Sequence, residues 1–115
     1  MNPFQSALVA ELATILKVPK ESLPAVFIQS RCKVLKVGIE HDIYARFPAA
    51  DPAVVRAWLE RYTQQDFYLR RICQGMNRHD LDGNDCGKIG DKRYAKKLLA
   101  QMSARVTGEE KRRTA

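Results

Sequence analysis

Arg70, Arg71 and Arg78 precede the stretch Asp82-Gly83-Asn84-Asp85, and Lys88, Lys92 and Arg93 follow it. Asp, Gly and Asn all tolerate positive φ, so the stretch predicts a tight turn. Leu81 on one side and Cys86 and Ile89 on the other are short apolar contacts that could pair across it. The pattern reads as a small β-hairpin between helices. A rigid turn among cations presents a fixed arrangement of positive charge, and the chemistry this suits is anion binding. Tyr68 stands beside Arg70 and Arg71, with Arg56 one helix earlier. Stacking a base on such a ring is worth roughly 1–3 kcal/mol, and a cationic groove follows phosphates. The plainer reading of Tyr68 is an amphipathic core tyrosine.

Other chemistries fit poorly. The DLDGND run resembles a calcium loop, but an EF-hand needs Gly at loop position six and Glu at twelve. Counting from Asp80 puts Asp85 at position six; counting from Asp82 puts Arg93 at twelve. His41-Asp42 and His79-Asp80 are sequence neighbours, which point in different directions on a helix or strand. Neither pair reads as a general base with its orienting acid. Cys32, Cys73 and Cys86 contain no CxxC pair, and two histidines complete no zinc-ligand spacing. No GxSxG and no P-loop is present.

With 115 residues, 45% of them hydrophobic, the chain is expected to form one domain with one real core. Its net charge of +7 predicts an anionic partner, nucleic acid being the commonest for a domain of this size. The cysteine usage suggests reduced thiols in a cytosolic compartment. No apolar run approaches the roughly 18 residues a membrane span needs, so no membrane partner is expected.

The candidate residues need a scaffold. Asn2-Pro3 is a cap followed by proline at the first helical position. Phe4, Leu8, Leu12, Ile15 and Leu16 then share one face of a helix that Pro19 stops. Lys20 to Arg31, broken by Pro24, reads as an irregular connector with an apolar patch at Ala25 to Ile28. A second helix is predicted from about Lys36 to Phe47, with Ile39, Ile43 and Phe47 on one face. Arg31, Lys33 and Lys36 stand at its entry, where cations oppose the helix dipole. That small cost makes sense if they serve an anionic ligand; three solvated side chains are the alternative. Gly38 in its first turn would let a ligand backbone approach closely.

Asp51-Pro52 repeats the cap-then-proline signal and opens a helix to about Tyr62. Val54, Val55, Trp58, Leu59 and Tyr62 supply its buried face, with Arg56 and Glu60 opposite. Thr63-Gln64-Gln65-Asp66 has capping-box spacing, with Asp for the usual Glu, so another helix starts almost at once. Phe67, Leu69, Ile72 and Cys73 are its apolar residues, and Gly75 ends it. Asp91 caps a last helix. Its buried stripe is Tyr94, Ala95, Leu98, Met102 and Val106; Lys92, Arg93, Lys96, Lys97 and Arg105 make its other side basic. Gly108 is a stop, and residues 108–115 are expected to form a mobile basic tail.

Four blocks carry a resemblance. They are Leu35-Lys36-Val37-Gly38-Ile39 followed by Asp42; the Arg56…Leu59…Tyr62-Thr63 helix; Tyr68-Leu69; and Asp80-Leu81-Asp82-Gly83-Asn84 with Cys86-Gly87. In this order and spacing the chain resembles the ProQ/FinO-domain family of bacterial RNA chaperones, over roughly Val34 to Arg105. The resemblance implies a mainly α fold with a small β-hairpin, and one RNA-binding domain over residues 1–107, close to a bare domain. The chain is expected to be a cytoplasmic monomer without cofactor or metal. Its partners would be structured RNA: small RNAs, mRNA 3′ ends and terminator hairpins with a single-stranded tail. The role implied is post-transcriptional regulation by binding 3′ ends and assisting RNA–RNA pairing.

Carried over position by position, Lys36, Arg56, Tyr68 and Arg78 are the candidates for a concave pocket taking the RNA 3′ end. Lys33 matches a position usually basic in the family. Leu69 and Asp80 would support the pocket wall, together with Gly38. Arg70 and Arg71 complete the proposed RNA-binding set, and Arg31, Arg61, Lys88, Lys92, Arg93, Lys96 and Lys97 are auxiliary cations. Three positions depart from the family pattern: Glu60 and Phe67 stand where Arg is frequent, and Pro52 where Lys is. They remove positive charge beside the pocket, which Arg61, Arg70 and Arg71 could restore. The alternative function is an adaptor whose basic face meets an acidic protein. A small hydrolase or nuclease has little support, since no acid–base or metal set is visible.

Overall fold

The computed structural model describes residues 3–29 and 32–102. Helix α1 (Pro3–Leu16) opens the described chain. A single 3-10 turn (Lys20–Ser22) and the short helix α2 (Ala25–Ile28) follow. Strand β1 (Val34–Leu35) leads into α3 (Ile39–Arg46), α4 (Pro52–Thr63) and α5 (Asp66–Cys73). Strands β2 (Arg78–His79) and β3 (Asp85–Gly87) precede a last helix, α6, described over 93–102. The fold is therefore mainly α with a small sheet, as predicted. Asn2, Arg31, Arg105, Val106, Gly108 and the tail lie outside the described residues.

The helices hold together on an aromatic cluster. Trp58 and Tyr62, one turn apart on α4, stack at 4.8 Å, and Phe27 of α2 meets both edge-on at 5.4 and 5.9 Å. Trp58 Nε1 donates to the Leu8 carbonyl at 2.8 Å, satisfying the indole and locking α4 against α1. Helix α1 is rotated from its predicted face. Val9, Leu12, Ala13 and Leu16 are buried with Gln5, whereas Phe4 is 73% exposed. The helix stops at Lys17, which takes a left-handed φ of 58°, before Pro19 is reached. Val18 N–H returns to the Ala13 carbonyl and Lys17 N–H to Thr14, the pairing of a Schellman cap.

Helix starts differ from their sequence signals in instructive ways. Asp51 does cap α4, its carboxylate accepting from Ala53 N–H at 3.0 Å with Pro52 behind it. The Thr63–Asp66 capping box does not form. The Thr63 hydroxyl instead donates back to the Leu59 carbonyl at 2.8 Å, so α4 runs through Thr63 and α5 starts after Gln65 without a side-chain cap. Helix α3 begins at Ile39, because Lys36 to Gly38 form a turn in which Gly38 has φ 77°. Ile39 N–H closes that turn on the Lys36 carbonyl at 3.3 Å. Gly38 is thus needed for its conformation. An added Cβ would meet His41 only at 3.8 Å, so within the chain it is the positive φ and not crowding that calls for glycine.

The predicted hairpin exists as part of a larger sheet. β2 pairs antiparallel with β3, and β1 adds in parallel on its other side, with Val34 opposite Arg78 and Leu35 opposite His79. Asp80 organises the turn. Its Oδ1 accepts from the Asp82 and Asn84 N–H groups at 3.0 and 2.9 Å, and Gly83 has φ 84°. Leu81 and Ile89 are buried, but Cys86 is exposed. Arg78 faces Gly87 and His79 faces Asp85, which leaves Cys86 as the extra residue of a bulge. Cys86 therefore does not pair across the hairpin.

Candidate nucleic-acid interface

Arg78 and Tyr68 are both fixed on the backbone of Leu35. The β1–β2 pairing brings Arg78 to Leu35, where its Nη1 donates to the Leu35 carbonyl at 2.8 Å. From α5 the Tyr68 hydroxyl accepts from the Leu35 N–H at 2.9 Å. Tyr68 is only 3% exposed and meets Tyr62 edge-on at 5.7 Å. Burial pushes its phenol up to about 12, partly offset by the Leu35 N–H and by the Arg78 charge. The ring is therefore a core element whose rim reaches the surface, and its faces are already covered.

Above this brace lies an open cavity of about 490 Å³. Lys36, Arg56 and Arg78 line it together with Tyr68, so four residues from the β1–α3 turn, α4, β2 and α5 meet at one place. Arg56 is exposed and has no ion pair or side-chain hydrogen bond among the described residues. Lys36 pairs with Asp42 at 3.0 Å, and that contact raises its pKa, so it remains charged. Helix α6 contributes Tyr94 and Leu98. Two carboxylates, Glu40 and Glu60, also line the cavity.

The remaining candidates fall elsewhere. Arg70 pairs with Asp66 at 3.5 Å and Arg71 hydrogen-bonds Gln74 at 3.0 Å; neither lines the cavity. Arg61 holds Glu11 of α1 at 3.1 Å, so it does not offset Glu60. None of the three positions expected to restore charge lines the cavity. Lys33 is half-buried and outside the lining, and Leu69 is fully buried core. Asp80 supports the hairpin turn, and its carboxyl is held below the usual range chiefly by Asn84. Arg93 pairs with Asp91, whose carboxylate also caps the start of α6 by accepting from Arg93 N–H at 2.9 Å. Lys88, Lys96 and Lys97 are exposed and Lys92 is half-buried, and none of them lines the cavity.

Two residues were missed by sequence reasoning. Tyr94 was placed in the buried stripe of the last helix, yet it is 48% exposed and lines the cavity. Ala95 is buried as expected, with Leu98, Leu99 and Met102 partly covered, which turns Tyr94 to the edge. The three-residue gap from Ala95 to Leu98 would have supported that stripe without Tyr94. Arg46 pairs with Asp82 at 3.1 Å and ties α3 to the hairpin turn. They are 36 residues apart, and no local signal announces the contact. Both border a second cavity of about 430 Å³ that shares Lys36. Its carboxylates Asp42, Asp80 and Asp82 are each engaged by a cation or by the turn backbone, which marks it as bracing.

Three cations turned toward one open cavity make an arrangement suited to holding an anion, mounted on a small helical domain with a three-stranded sheet. The model of the ProQ/FINO family matches residues 9–115, and the chain belongs to that family. It is 35% identical over 97 residues to the RNA chaperone ProQ of Aliivibrio fischeri, covering 79% of this chain and 47% of that protein. The RNA chaperone ProQ of Vibrio vulnificus is 34% identical over the same length and coverage. The chain thus spans about half the length of the curated relatives it matches. The crystal structure of a FinO-like RNA chaperone from Neisseria meningitidis shares the fold. The two superpose with a TM-score of 0.56 at 22% identity, over 84% of this chain and 86% of that one.

Proposed function

We propose that this domain binds structured RNA through the end of a strand, acting as an RNA chaperone in post-transcriptional regulation. The observation that carries the reading is the convergence of Lys36, Arg56 and Arg78 on a cavity whose floor is braced by Tyr68. A-form duplexes hide their base edges in a deep, narrow major groove, so a small domain selects by shape, phosphates and hydroxyls. A concave site with three cations suits the last phosphates of an unpaired 3′ tail better than the middle of a duplex. The relatives' description as RNA chaperones supports the same reading. Terminator-type hairpins, with a stem and a free uridine tail, are the RNA class that fits.

A gel-shift series tests this. The hairpin with a free 3′ hydroxyl tail should bind. Trimming the tail, or blocking its 3′ hydroxyl with a phosphate, should weaken binding by about tenfold or more, a loss on the scale of a charge-assisted contact. Equal binding to tailed hairpin, blunt duplex and a polyaspartate chain would instead favour the adaptor reading, in which any dense anion suffices.

A further inference from the structure

We propose that Tyr94 is the base-stacking residue of this cavity, its ligand being an unpaired nucleobase at the RNA 3′ end. The proposal rests on the RNA reading above and names a contact within it. A nucleotide is divided chemically: its charge lies on the phosphate, and its base offers two flat apolar faces. The cavity carries both complements, with Lys36, Arg56 and Arg78 for the charge and Tyr94 with Leu98, one helical turn on, for the flat surface.

The other aromatic rings are spoken for. Phe27, Trp58 and Tyr62 are fully buried against one another. Tyr68 is 3% exposed, and its hydroxyl is taken by the Leu35 N–H. Phe67 is half-buried and packs on Tyr62; Tyr44 is half-buried and donates to the Pro52 carbonyl; Phe47 is half-buried, packs against the core and does not line the cavity. Phe4 is exposed but borders a different groove, with Glu11 and Arg61. Among the described residues, Tyr94 is the one exposed aromatic that lines the cationic cavity, with 48% of its surface open. Because α6 packs through Ala95, the ring is left at the helix edge, where a base can cover it. Such stacking is tolerant of base identity, since every base has a π-face.

The test is a protein–RNA cycle. Affinities are measured for the tailed hairpin and for the same hairpin with abasic sites in its last tail positions, using the intact chain and its Tyr94→Phe and Tyr94→Ala variants. Wild type should lose about tenfold on the abasic tail. Tyr94→Ala should lose a similar factor on the uridine tail but less than about twofold further on the abasic one, and Tyr94→Phe, which keeps the ring, should follow wild type. Independent, additive losses would overturn the proposal, because Tyr94 would then act through the fold. So would an unchanged affinity in Tyr94→Ala. Failure of wild type to bind any tailed hairpin would remove the RNA reading itself, and this contact with it.

Discussion

Cys32 and Tyr68 lie in one buried cluster, linked through Tyr62, whose hydroxyl donates to the Cys32 sulfur at 3.4 Å. Burial pushes the Cys32 thiol from 9.0 to about 11 and the Tyr68 phenol from 10.0 to about 12. Both shifts favour the neutral group in the folded protein. The unfolded chain ionises first, so this stabilisation is fully present below about pH 9 and is lost as pH rises through about 12. Thermal melts from pH 8 to 12 should therefore show a midpoint falling above pH 9 to 10. Tyr68→Phe should fall less steeply, while losing about 1 kcal/mol at neutral pH with the Leu35 hydrogen bond. Parallel curves for the two proteins would contradict the buried placement. Residue spacing could bring Tyr68 to the site but could not decide its role. A tyrosine on a buried helix face can show the site a face or an edge, and here packing leaves only 3% of Tyr68 exposed. Tyr94 was misplaced for a related reason. It stands next to Ala95, and neighbours on a helix point about 100° apart, so with Ala95 buried Tyr94 turns toward the edge of the stripe.

The elements were more legible than their ends. Apolar periodicity located α1, α4, α5 and α6, and the Asp-Gly-Asn turn located β2 and β3. β1 was not readable, because two residues carry no period and its partner lies 44 positions away. That strand matters to the site, since it holds Leu35, whose carbonyl and N–H bond Arg78 and Tyr68. The turn joining β2 and β3 should accordingly be sensitive to backbone change. Gly83 has φ 84°, and an added Cβ would stand 3.0 Å from the Gln29 amide. Gly83→Ala should cost roughly 1–2 kcal/mol, the left-handed penalty of a non-glycine residue. Gly90→Ala, with no positive φ and nothing within 4 Å, should be near neutral. Urea denaturation of the two variants checks this, and equal stabilities would mean the hairpin turn is not held as described.

For the whole molecule, net charge of +7 says that anions are attracted but not where they settle. Sequence proximity suggested that Arg61, Arg70 and Arg71 would reinforce the pocket; in the fold each is turned to a partner of its own. The departures from the family pattern also separate by place. Pro52 starts α4 and Phe67 packs on Tyr62, whereas Glu60 sits within the cavity. Arg56 and Arg61 then offer a controlled comparison. Both belong to α4, and removing either subtracts one positive charge, but Arg56 lines the cavity and Arg61 holds Glu11 outside it. The most direct measurement is the affinity of Arg56→Ala and Arg61→Ala for a tailed hairpin at fixed salt, with circular dichroism confirming both folds. Binding at the cavity predicts a loss of about tenfold for Arg56→Ala and less than about twofold for Arg61→Ala. Equal losses would mean that RNA meets only a diffuse positive surface, and the cavity would have no part in holding it.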